Sequence, residues 1–209
     1  MSIISNLVSN QIDNEYAAKL ALTDKNILAE LLTGIQSTKD QIRFNSFKTI
    51  LIISEHYPEI LYPKWSFFET MFSSDNSYFK LIAIQIIANL TKIDTEKRFE
   101  KLFDKYFIEL NTEKTMIAAH IAGNAGKIAK AKPGLQSKIT DILINIDCIY
   151  KGKQIDLIKG YAIAAFDQYL DKTGIKEKEC ILEFVKKEQY NRSPRTAKIV
   201  KEFINKWGQ

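Results

Sequence analysis

Eight glycines and four prolines in 209 residues that are 45% hydrophobic give a sizeable core and too few turn-formers for a sheet-rich fold. The net charge of +5 is unevenly carried: residues 1–110 hold 12 Lys/Arg against 14 Asp/Glu, residues 111–209 hold 18 against 11. No run approaches 18 apolar residues, which excludes a membrane span, and two cysteines without CxxC spacing exclude a disulfide scaffold.

In chain order, residues 1–22 are expected to form an irregular or helical N-terminal cap. Their start, Met1-Ser-Ile-Ile-Ser-Asn6, has neither the basic flank nor the apolar run of a secretory signal, so a cytoplasmic location is expected. Helices then follow over about 26–36, 40–56, 63–73, 77–92, 95–110, 113–130, 134–147, 154–171, 176–189 and 194–206. Tyr57-Pro58, Tyr62-Pro63, Lys132-Pro133-Gly134 and Tyr150-Lys151-Gly152 punctuate them. Asp94 or Thr95, Thr112 and Ser193 are the expected N-caps, with Pro194 at the first helical position. Trp65, Phe67, Phe68, Met71 and Phe72 form a broad apolar stretch expected mostly in the core, as are Tyr161, Phe166 and Tyr169. Cys148 and Cys180 are expected as small buried residues in a reducing compartment.

The helical period is clearest where Phe79, Ile82, Ala83, Ile86, Ile87 and Leu90 follow the i, i+3, i+4, i+7, i+8, i+11 series of one face. The segment Ile82–Ile93 is echoed 35 residues later by Ile117–Ile128, with Ile, Ala, Ile, Asn, Lys and Ile coinciding at six of twelve positions. A helical period in the 30s marks a stack of helix pairs, none of which buries its stripe alone. Ser54, Asn89 and Asn124 are equivalent at this spacing, and Gln168 and Asn205 continue the series at longer steps. At 100° per residue, Tyr78, Gln85, Asn89 and Lys92 lie roughly 90–150° from the centre of the apolar face. The same shift gives Glu113, His120, Asn124 and Lys127 on the next such helix.

The segments around Asn89 and Asn124 resemble the inner helix of armadillo repeats, in which small apolar residues lead to Asn-Leu-Ala. Asp40-x-x-Arg43 and Asp75, at the starts of such helices, resemble HEAT repeats equally. The resemblance spans about residues 24–207 of one domain, 1–209. It implies an all-α fold, a right-handed alpha-alpha superhelix (solenoid) of about five antiparallel helix pairs, with the second members lining a concave face. In armadillo proteins that asparagine bonds the backbone of an extended peptide, beside a tryptophan one turn earlier. Gln85 and His120 stand at the tryptophan positions here.

The expected function is therefore a non-enzymatic interaction scaffold that binds a protein segment through Gln85, Asn89, Lys92, His120, Asn124 and Lys127. An amide suits that task because its donor and acceptor can pair with both groups of an extended backbone. No cofactor or metal is expected: His56 and His120 are the only histidines, and neither lies near a cysteine. Gly123-Asn-Ala-Gly126-Lys127 lacks the glycine and Ser/Thr of a phosphate loop at 121 and 128, and its small residues suit close helix packing. The alternative is a nucleic-acid-binding solenoid that uses the basic second half. Asp167 and Trp207 would then stand in for the groove residues of alkylpurine DNA glycosylases. Oligomeric state is left open.

Overall fold

The computed structural model describes residues 2–208, and among them every regular element is helical. No helix among the described residues is long and apolar enough to cross a membrane. The chain divides into two compact units, one ending at Thr95 and the other beginning at Glu96.

The first unit holds α1 (Ile3–Val8), α2 (Asn14–Thr23), α3 (Lys25–Gly34), α4 (Asp40–His56), the single turn α5 (Pro58–Leu61), α6 (Trp65–Phe72) and α7 (Ser77–Leu90). Their starts are written in side chains. Asp13 and Asp24 accept the backbone N–H of Tyr16 and Asn26 at 2.7 and 2.8 Å, and Asn76 accepts that of Tyr78 at 2.9 Å. Helix α4 packs on α2, α3 and α7, and α6 covers α7. The α2–α4 seam is fastened by Asn14, whose amide donates to the Asn45 carbonyl and to Thr49 Oγ1, each at 2.9 Å. Trp65, Phe68, Met71 and Phe72 are buried, as expected. Helix α7 departs from a simple amphipathic stripe. From Ile82 to Leu90 it is buried around nearly its whole circumference, Gln85 being the exception.

The second unit holds α8 (Arg98–Ile108), α9 (Thr115–Ala131), α10 (Gln136–Ile144), the short α11 (Ile146–Ile149), α12 (Ile155–Phe166), α13 (Ile175–Lys187) and α14 (Pro194–Trp207). Helix α12 lies between α9 and α14, while α10 covers α9 and α13 covers α14. Small residues permit the α9–α12 approach. A methyl placed on Gly126 would stand 2.5 Å from the Ala165 carbonyl oxygen, so only a bare Cα fits. The Lys159 ammonium meets Asp147 at 2.9 Å and Glu188 at 2.8 Å, and Asn191 donates to Glu188 at 2.6 Å. Burial opposes the Lys159 charge, yet these carboxylates outweigh it and raise its pKa above the ordinary lysine value.

Several local expectations are corrected. Neither Asp94 nor Thr95 caps the following helix, whose N-cap position is Lys97, and the Asp94 carboxylate accepts the Tyr62 hydroxyl at 2.6 Å. Helix α8 starts only at Arg98, after Lys97 takes a left-handed conformation with φ 55°. Thr112 accepts the N–H of Lys114 at 3.1 Å in a local turn, and α9 begins beyond it at Thr115. Ser193 does cap α14, accepting from Thr196 N at 3.3 Å. Both cysteines are exposed rather than buried. Cys180 falls off the α13 face formed by Ile181, Phe184 and Val185, and Cys148 lies in the brief α11 turn. Phe166 and Tyr169 are buried as expected, but Tyr161 is half-exposed.

Candidate functional site

In the first unit the polar flank of α7 separates into two parts. Asn89 is 5% exposed, and its amide donates to Ser54 Oγ on α4 at 2.8 Å. Ser54 is the residue 35 positions earlier, so the sequence offset is also a packing offset between α4 and α7. Lys92, in the turn Thr91–Ile93, donates to the backbone carbonyl of Glu55 in the last turn of α4. The last carbonyls of a helix need donors from outside its own ladder, and a cation there also complements the negative helix end. Asn89 and Lys92 together clamp the C-terminal turn of α4 through two adjacent residues.

The other part faces outward. Gln85 is half-exposed, and its amide reaches back to the Leu81 carbonyl at 3.2 Å. Two turns earlier, Tyr78 is 59% exposed with the Arg43 guanidinium 4.3 Å above its ring. Arg43 is itself steered by Asp40 and by the Ser37 carbonyl, to which it donates at 3.0 Å. The outward line is thus an Arg-on-Tyr stack followed by a glutamine.

The second unit repeats the division. Helix α9 is buried from Ile117 to Ala129 except at His120, Gly123 and Lys127, which are half-exposed and extend a stripe begun by the exposed Met116. These positions run i, i+4, i+7, i+11, which is one narrow face of the helix. Burial holds the His120 imidazole below its ordinary pKa of 6.5, so it is a neutral donor and acceptor at pH 7. Asn124 is 8% exposed and donates to the His120 carbonyl at 2.8 Å. It lies off the open stripe and holds the backbone that carries His120.

Across the seam, a methyl on Gly123 would lie 3.1 Å from the Tyr161 ring of α12. Arg195 of α14 stacks 4.4 Å over that ring and donates to the Tyr161 hydroxyl at 2.6 Å. A second Arg-on-Tyr pair therefore adjoins the stripe of the second unit. Gly126 meets Ala165 and Gln168, which sets the register of α9 on α12. Gln168 lies past the end of α12. Asn205 is exposed on α14.

Asp167 and Trp207 do come together, but as a closure of the last helix. One carboxylate oxygen of Asp167 accepts the Trp207 indole N–H at 2.6 Å and the Lys206 ammonium at 2.8 Å. Burial would raise its pKa, and the two donors outweigh that and lower it. Among the described residues no three His, Cys, Asp or Glu side chains group as metal ligands. Of the residues expected to contact a partner, Gln85 and Asn89 lie on α7, Lys92 in the turn after it, and His120, Asn124 and Lys127 on α9, while both Arg-on-Tyr pairs were missed. Their signal was present: Arg43 and Tyr78 are 35 residues apart, and Tyr161 and Arg195 are 34 apart. No protein-family model matches the chain, and no curated protein matches its sequence.

Proposed function

We propose that each unit is a short stack of HEAT/armadillo-like helix pairs, and that the chain is a non-enzymatic scaffold that binds a protein segment along the inner-helix face. The observation that carries this reading is a narrow open set in each unit on a mostly buried helix: Gln85 on α7, with Tyr78 in its open first turn, and separately Met116, His120 and Lys127 on α9. A helix that buries all but one line has that line available for a partner. Each line adjoins an Arg-on-Tyr stack, and Arg and Tyr are enriched among residues that dominate binding energy at interfaces. Gln85 and the neutral His120 can each donate and accept, which matches the alternating N–H and C=O groups of an extended segment. Asn89, Asn124 and Lys92 are positioning residues in this scheme, because their amides and ammonium reach α4 or the α9 backbone. Two free, exposed thiols suit a reducing, cytoplasmic setting.

The test is parallel affinity capture from native lysate, read by mass spectrometry, with the native chain and a Tyr78→Ala, Gln85→Ala, His120→Ala variant of matched thermal stability. The reading predicts a defined set of proteins retained by the native chain and depleted about tenfold or more with the variant, since removing two or three interface anchors costs that much. Identical captured sets would reject the line as the binding surface.

A further inference from the structure

The first unit contains a cavity that none of the outward-line residues touches. It has a volume of about 480 Å³ and is walled by Ala21, Leu22, Leu28, Ala29, Leu32, Ile60 and Pro63. Its mouth carries Lys25, Glu59 and Lys64, all exposed. Among the described residues neither lysine engages a carboxylate, and the mouth carries two positive charges against one negative. The lysine stems belong to the lining, so each can cover the apolar wall while its ammonium stays in water at the opening.

We propose that this cavity binds an anionic amphiphile: an aliphatic chain of roughly ten carbons ending in a carboxylate, a size suited to pockets of about 300–1,000 Å³. The chain replaces water against Leu22, Leu28, Leu32 and Ile60, and the carboxylate meets Lys25 and Lys64 at the rim. The two requirements are separable. The walls select an aliphatic chain of either charge, and the excess positive charge selects the anion.

The experiment titrates the full chain with octanoate, decanoate, decanol and decyltrimethylammonium by calorimetry, following the Leu22, Leu28 and Leu32 methyl signals by NMR. Decanoate is expected to saturate one site below about 1 mM, and roughly tenfold more tightly than octanoate from two further methylenes. Decyltrimethylammonium is expected to bind about tenfold more weakly than decanoate. Lys25→Gln with Lys64→Gln is expected to bring decanoate down to the affinity of decanol while leaving decanol unchanged. Ala29→Phe is expected to abolish both, with its thermal midpoint showing that the fold is kept. Equal affinity for decanoate and decyltrimethylammonium would overturn the proposal, as would decanoate binding that leaves the three leucine methyls unmoved. An acidic leucine-containing peptide that fills the site where decanoate does not would also overturn it, assigning the cavity to a protein partner.

Discussion

His120 illustrates how one side chain couples the open line to stability. Burial lowers its folded pKa, so the unfolded chain binds a proton near pH 6.5 that the folded chain resists. The folded state is therefore fully favoured above about 6.5 and loses stability as pH falls through that value. Removing the titrating group with His120→Gln should flatten this dependence. Thermal midpoints between about pH 7.5 and 5.5 should fall more for the native chain than for the variant. Parallel profiles would mean that the ring titrates as it does in the unfolded chain. Asp167 carries the same sign in a lower window: its lowered pKa contributes stability above about 3.8 that is lost as pH falls through the folded value. The two groups therefore act in different windows, and the neutral-to-mildly-acid range isolates His120.

Among the elements, α9 depends most on close packing. Gly126→Ala sets a methyl 2.5 Å from a backbone carbonyl of α12, which cannot rotate away as a side chain could. It should destabilise by about 1–3 kcal/mol in urea unfolding, whereas Gly134→Ala, with nothing within 4 Å, should be neutral or slightly stabilising. Equal effects would deny the tight α9–α12 crossing. The helices themselves were legible in the sequence. The spans expected at 40–56 and 194–206 appear as Asp40–His56 and Pro194–Trp207, because apolar spacing, Ser193-Pro194 and the X-Pro breaks all act locally. What was not legible depends on neighbours. Angle about one helix axis placed Asn89 and Lys92 on a polar flank, but that flank turns onto α4, whose position periodicity does not contain. Tyr161 looked like core for the same reason, and only the crossing of α12 with α14 brings Arg195 over its outer face. The helix expected over 154–171 stops at Phe166, and Leu170–Lys172 form a separate turn.

At the scale of the whole molecule, the positive excess is concentrated in residues 96–209, with 22 Lys/Arg against 15 Asp/Glu. Part of it is already committed within that unit: Lys132 pairs with Glu100, Lys159 with Asp147 and Glu188, and Lys206 with Asp167. Lys127 lies on the open stripe, and Arg195 is held on Tyr161 beside it. The polar flank of α7 divides into an internal clamp, Asn89 and Lys92, and an outward part, Tyr78 and Gln85. Urea unfolding of two double variants in the first unit tests that division most directly. Asn89→Ala with Lys92→Ala removes the bonds to Ser54 and Glu55, one of them fully buried, and should cost about 2 kcal/mol or more. Tyr78→Ala with Gln85→Ala removes outward groups and should cost less than about 1 kcal/mol. Losses of equal size, or a larger loss from the outward pair, would contradict the division.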